Sequence, residues 1–253
     1  MSLDHNSSKI LVEVCVDSVE SAINAVHGGA DRLELCGNLA IGGGTTPSMG
    51  LFNAVRKSIQ RFIPIMVMVR PRTGNFLYTD AETDVMLEDI RLFKKAGAQG
   101  VVMGLLKSDG TVDVARTMRK AVNKVVELSA ALAYRDLSGI RGITRILTSV
   151  STAPELIIPL LKARSKHADS PTPEILPGSG INPRTVRGVL DVLLPHNLSE
   201  MHMSGGEWIE GGMAHKPAGL GMGSGRGEWD IWRTDERAVR EVRECVDDIL
   251  GRC

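Results

Sequence analysis

The sequence predicts an α/β fold, a TIM-type (β/α)8 barrel with an eroded or missing fifth β/α unit. Three observations point there. Strand-like and helix-like segments alternate along 253 residues in units of about 30, the spacing of a barrel. The first two strands carry polar residues on one face and aliphatic residues on the other. The first turn lacks the glycine fingerprint of a dinucleotide-binding open sheet.

The pattern is clearest at Ile10–Cys36. ILVEVCV is a strand, DSVESAINAVHGGAD an amphipathic helix, and RLELC a second strand. Asp17-Ser18 is a cap signal, and Val19, Ala22, Ile23 and Val26 recur at helical spacing. Side chains alternate across a strand. Glu13 and Cys15 therefore share one face, Glu34 and Cys36 another, with Arg32 one step earlier, while Val12, Val14, Val16, Leu33 and Leu35 face helices.

A glycine-rich loop follows Cys36, then a helix from Met49 to Ser58. IPIMVMVRPR (Ile63–Arg72) is the third strand. Asp80–Gly97 is a helix with Val85, Met86, Ile90 and Phe93 as its buried stripe. Val101–Leu106 is the fourth strand and Val112–Asn123 a helix. Ile143–Ser149 is a strand, and a helix runs from Ala153 to about His167. Glu174–Ile181 is a strand, Pro183 opens a helix to Leu194, and Glu200–Gly205 is the last barrel strand. Asp235–Leu250 is an amphipathic helix. Residues 1–253 are one domain, with 1–9 as a tail and 206–234 as a glycine-rich insertion. That insertion is either a lid anchored by Trp208, Trp229 and Trp232 or a surface loop. Between Leu106 and Ile143 the chain must supply a helix, a strand and another helix. Leu128–Tyr134 reads as more helical than extended, so the fifth strand and part of its helix look deleted or badly eroded.

Composition narrows the function. Formal charge is zero, which argues against nucleic acid or an anionic membrane as partner. No apolar run approaches the roughly 20 residues of a membrane helix, and the first residues lack a signal-peptide core. Four cysteines make no disulfide framework in a chain of this length.

Two sets of residues carry chemistry. Adjacent strands lie about 4.8 Å apart, so Cys15 and Cys36 can reach one ion, with Met66 and Met68 facing the same interior. Thiolate and thioether favour Cu(I); buried free cysteine is equally a small core residue. The second set is Glu13, Glu34, Arg70, Arg72, His202 and Ser204 at strand ends, either acid–base machinery or an interior salt-bridge network. PGSGI, with Gly178 and Gly180, occupies the place where barrels hold anions on glycine amides, though a plain turn explains it as well.

These residues resemble the CutC family of copper homeostasis proteins. The resemblance rests on EVCVDSVESA (Glu13–Ala22), GGADRLELC (Gly28–Cys36), GGTTPSMG (Gly43–Gly50), VMVRPR, VMLEDIRLFKKAGAQGVVMG (Val85–Gly104), DGTVD, RILTS and PGSGI (Pro177–Ile181). It implies a TIM-type barrel, a cytoplasmic or nucleocytoplasmic location, and copper handling with Cys15 and Cys36 as Cu(I) ligands. The family's His-Arg-Ala-Phe-Asp strand end is absent here, PGGGI is PGSGI, and the segment after His202 is longer. A lost fifth unit would open the ring and expose strand edges, favouring a homo-oligomer.

Three functions follow as expectations. The first is an intracellular Cu(I)-binding protein. The second is an enzyme acting on a small carboxylate or phosphate, with Glu13 or Glu34 as base, Arg70, Arg72, Gly178 and Gly180 on the anion, and His202 as acid. The third is an inactive remnant of the barrel.

Overall fold

In a computed structural model, the structure describes residues 9–121, 126–129, 140, 142–149, 154–165, 172–221 and 227–251. Its centre is an eight-stranded parallel sheet. The strands are β1 (Leu11–Val16), β2 (Arg32–Leu35), β3 (Ile65–Met68), β4 (Gly100–Met103), β5 (Val126–Ser129), β6 (Ile143–Ser149), β7 (Glu174–Gly178) and β8 (Glu200–Met203). Their order is β7-β6-β5-β4-β3-β2-β1-β8. β1 pairs with β8, placing Glu13 level with His202.

The fifth strand is present, which corrects the expectation of a missing unit. Val126–Ser129 pairs with β4 on one side and β6 on the other. Residues 130–139, where the rest of that unit would fall, lie outside the described residues. VELS is too short, and too close to helix-forming neighbours, for local preference to mark it. Its partners decide its conformation.

β7 and β8 lie side by side and bring the ring together, although no backbone ladder joins them among the described residues. Side chains tie this seam. Ser199 Oγ donates to Glu174 Oε2 at 2.6 Å, and Glu174 also takes Arg164. Gly178 is required here by close approach. A Cβ on it would stand 2.9 Å from Leu147 Cδ1 and 3.2 Å from His202 Cβ.

Helices clothe the sheet: α1 (Val19–His27), the single turn α2 (Leu39–Gly42), α3 (Met49–Ser58), α4 (Asp80–Ala96), α5 (Val114–Ala121), α6 (Ile158–Ser165), α7 (Val186–Leu193) and α8 (Glu236–Ile249). Local signals set their ends. Ser18 and Ser48 cap α1 and α3, Thr79 and Glu82 form a reciprocal capping box on α4, and Gly97 ends α4 in the left-handed region. The outward faces of the strands bury Val12, Val14, Val16, Leu33 and Leu35 against Ala22, Ala25, Phe52, Met86 and Phe93. Each such aliphatic or aromatic side chain contributes about 1.5–3 kcal/mol.

Several element expectations shift. Val85 is exposed, and Thr83 joins Met86 and Phe93 on the buried face of α4. α7 starts at Val186, because residues 183–185 form a turn after Pro183. The segment from 154 is a 3-10 turn, Pro154–Ile157, running into α6. The glycine-rich insertion contains an antiparallel ribbon, β9 (Gly206–Ile209) and β10 (Ile231–Thr234), with Trp208 against Trp232 edge-to-face at 5.6 Å. Thr234 ties β10 to α1, its amide donating to Ser21 Oγ and its carbonyl accepting from Asn24 Nδ2. The ribbon therefore sits on α1.

Candidate metal centre in the barrel mouth

The barrel interior is polar at its base. Arg32, 2 % exposed, donates through Nε to Glu13 Oε2 and through Nη2 to Glu200 Oε2 at 2.6 Å. Arg145 Nε reaches the same Glu200 oxygen at 2.8 Å. Buried charges survive only when paired, and this network satisfies two carboxylates with two guanidinium groups. Arg32 and Glu200 lie on the interior parity of β2 and β8, and Arg145 joins them from β6.

Above this base sits His202. Its Nδ1 faces Glu13 Oε1 at 2.7 Å, and its Nε2 stands 3.5 Å from Glu34 Oε2. Glu13 so fixes the ring that the second nitrogen points toward Cys15 and Glu34. One ligand atom each from Cys15, Glu34 and His202 lies within 4.8 Å of the others, and all three residues are buried. Glu34 Oε1 is buried and, among the described residues, has no hydrogen-bond partner. Such an orphaned carboxylate oxygen, beside a thiol and an imidazole, suits a bound cation.

The electrostatics follow from burial. Burial pushes the Cys15 thiol up, partly offset by His202; burial and then the Glu34 charge push Cys36 well above the ordinary thiol range. Burial opposes the charged form of Glu13 as well, but Arg32 and His202 outweigh it and hold Glu13 at about 2. Burial pushes Glu34 up to about 7, with His202 and Arg32 opposing and Glu13 adding to the rise. Burial disfavours imidazolium at His202, yet Cys15, Glu13 and Glu34 around the ring raise its pKa well above the ordinary value. The pocket thus holds protons that a metal ion can displace.

These groups open into a cavity of about 500 Å³ at the carboxyl ends of the strands. Cys36, Met68, Arg70, Thr148, Ser179, Gly180 and Ser204 line it as well. Cys36 shares the cavity but is not one of the three grouped ligands. Its Sγ lies against Gly44, where an added Cβ would come within 3.1 Å of Sγ and 3.6 Å of Met68 Cε. Met66 is buried in the interior and does not line the cavity.

Arg70 lines the cavity with its guanidinium already engaged. Nη1 donates to the carbonyls of Gly42, Gly43 and Gly44, and Nη2 to Gly74 O. Arg72 lies away from the mouth, bonded to Glu82, Asn75 and Leu77 and stacked over Tyr78. Gly180 lines the cavity, whereas Gly178 serves the strand seam. None of the described ribbon residues lines the cavity, so the lid expectation finds no support there. Sequence reasoning passed over Arg145 and Thr148, and left the partners of Arg32 and Glu200 undrawn. The alternation Arg145, Leu147 and Glu200, His202 was the available signal.

Residues 10–206 match the family profile described as the CutC family. The chain belongs to the CutC family. The human copper homeostasis protein cutC homolog is 39% identical over 256 aligned residues, covering 95% of this chain and 90% of the human one. A CutC family protein of Chromobacterium violaceum is 34% identical, covering 94% and 98%. The crystal structure of a CutC protein of Streptococcus agalactiae superposes with a TM-score of 0.65 at 27% identity, covering 77% of this chain and 98% of that one. Phosphoribosylanthranilate isomerase of Thermotoga maritima, at 14% identity and a TM-score of 0.56, shares the barrel fold alone. CutC membership and the TIM-barrel-like fold therefore stand together. No described helix is long and apolar enough to cross a membrane.

Proposed function

We propose that this CutC-family chain binds copper as Cu(I) in the barrel mouth, with the ion as cargo. The carrying observation is the approach of Cys15 Sγ, a Glu34 oxygen and a His202 nitrogen to within 4.8 Å of one another. Cu(I) is soft and takes sulfur and imidazole before carboxylate. Cys15 and His202 are accordingly the primary donors. The sulfurs of Cys36 and Met68 stand on the same cavity wall as further soft donors. Glu34 supplies negative charge, and Glu13 holds the imidazole by its Nδ1. Binding releases the Cys15 proton, so affinity rises with pH. Free, buried Cys15 and Cys36 fit a reducing compartment, the cytoplasm with access to the nucleus.

An anaerobic Cu(I) titration against a competing chelator tests this reading. The parent chain retains one ion, Cys15→Ser weakens binding by roughly a hundredfold, and Cys36→Ser weakens it less. Both variants holding copper as tightly as the parent would overturn it.

A further inference from the structure

Three donors of three chemical kinds converge where β1, β2 and β8 lie side by side. Cys15 stands level with Glu34 across the β1–β2 ladder, and Glu13 stands level with His202 across the β1–β8 ladder. Donors on paired strands are held more precisely than donors on loops. His202 Nε2 lies 3.5 Å from Glu34 Oε2. In a tetrahedron, metal–ligand bonds of about 2.0–2.3 Å separate the ligand atoms by about 3.3–3.7 Å, so this pair already spans a tetrahedral edge. The whole group lies within 4.8 Å, and its widest pair needs to close by no more than about 1 Å.

The carboxylate is the telling member. Cu(I) prefers sulfur and has little use for it. Yet Glu34 is 3 % exposed, lines the cavity, and among the described residues its Oε1 has no hydrogen-bond partner. Zn(II) takes thiolate, imidazole and carboxylate alike. Charge points the same way. In the floor beneath, Arg32 and Arg145 balance Glu13 and Glu200. What remains at the site is one thiolate and one carboxylate beside a neutral imidazole. A divalent ion brings that set to zero, whereas a monovalent ion leaves one charge over, and buried charge is costly unless compensated. The imidazole is prepared as well. Glu13 holds its Nδ1 at 2.7 Å, the carboxylate–histidine arrangement that fixes the tautomer and leaves Nε2 for a metal.

The geometry points to a divalent metal centre: Zn(II) on Cys15 Sγ, His202 Nε2 and a Glu34 oxygen, with its fourth position open to the cavity. Three protein ligands and one open position are the arrangement of catalytic rather than structural zinc. Cys36 lines the same cavity but stands outside the group, so among the described residues no fourth cysteine, histidine or carboxylate closes the site. The cavity, at about 500 Å³, falls within the roughly 300–1,000 Å³ typical of small-molecule sites, and Phe76, Val102 and Leu147 give it apolar walls. The open position therefore takes a water or the oxygen of a small organic ligand. Zinc acidifies such a water to a pKa of about 7, which supplies a nucleophile at neutral pH. This centre shares Cys15 and His202 with the copper reading but does not rest on it, because it makes Glu34 a ligand.

The test uses the full chain, stripped with a chelator and kept reduced without added thiol. Zn(II) is titrated against a chromophoric chelator, and Co(II) replaces it as a spectroscopic probe. One Zn(II) per chain is expected. The Co(II) protein should show the intense visible bands of four-coordinate cobalt together with a thiolate charge-transfer band. Acetohydroxamate should shift the visible bands by entering the open position. Losing an outer-shell partner of a metal ligand costs roughly 10–100-fold in affinity, so Glu34→Gln, which removes a ligand itself, should weaken Zn(II) binding by roughly a hundredfold or more. The same variant should change Cu(I) affinity far less, which separates this centre from the copper reading. The cobalt spectra are read on the parent protein and so remain decisive should the variant fold poorly. No Zn(II) held against the chelator, a six-coordinate or thiolate-free cobalt spectrum, cobalt bands indifferent to acetohydroxamate, or unchanged Zn(II) affinity in Glu34→Gln would each overturn the proposal, whatever copper does.

Discussion

Replacing Glu13 by Gln removes one negative charge from the floor of the metal site while preserving its size. Glu13 is fully buried, with Oε2 on Arg32 and Oε1 on His202. Its carboxyl, held at about 2 rather than 4.5, has its charged form favoured by about 3 kcal/mol, at about 1.4 kcal/mol per pKa unit. Breaking a buried ion pair costs about 3–5 kcal/mol, so two independent routes give the same scale. Glu13→Gln should lower unfolding free energy near pH 7 by about 3 kcal/mol, a drop of about 6–12 °C in melting temperature for a chain of this length. The pH dependence has a definite sign. A depressed folded-state pKa contributes stability that is complete above the unfolded value near 4.5 and lost as pH falls toward 2. The gap between parent and variant should hold from pH 7 to 5 and shrink below that. Urea unfolding at a series of pH values reads it directly. A variant within about 1 kcal/mol of the parent near pH 7, or a gap that does not change with pH, would refute the argument.

Glu34 behaves oppositely. Its pKa is raised to about 7, so stability is complete below about 4.5, falls as pH rises toward 7, and is level beyond. Glu34→Gln should therefore stabilise the protein by about 2–3 kcal/mol above pH 7 and make no difference below 4.5, as urea midpoints across that range would show. Arg70→Met should free the glycine loop that Arg70 holds by the carbonyls of Gly42, Gly43 and Gly44. Amide exchange at residues 42–44 should accelerate, with a loss of about 2 kcal/mol; unchanged exchange there would contradict the staple. Gly28→Ala would place a Cβ 2.6 Å from Val239 Cβ and 2.7 Å from Glu236 O. Overpacking of this kind costs about 1–3 kcal/mol, measurable calorimetrically as a lower melting temperature.

The parts legible in the sequence are those that strand alternation controls. Glu13, Cys15, Glu34 and His202 meet inside the ring because period-two parity sends them there once the aliphatic faces take the helices. Parity says nothing about what claims a long side chain at a strand end. Arg70 and Arg72 read as anion holders, yet nearby carbonyls and Glu82 engage them, through contacts that only tertiary structure supplies. Gly178 read as a phosphate amide, while its lack of a Cβ serves the approach of β7 to β8. β5 escaped because four residues of mixed preference become a strand only between β4 and β6. The grouping of Cys15 with Glu34 and His202 needed the β1–β8 pairing, which joins strands 189 residues apart.

X-ray absorption at the copper edge, on anaerobically loaded parent and Cys15→Ser proteins, bears most directly on the copper reading. The parent should show a Cu(I) edge with mixed sulfur and imidazole scattering, and the variant should lose sulfur scattering. Oxygen and nitrogen scattering alone in the parent, or identical spectra from the two proteins, would contradict it.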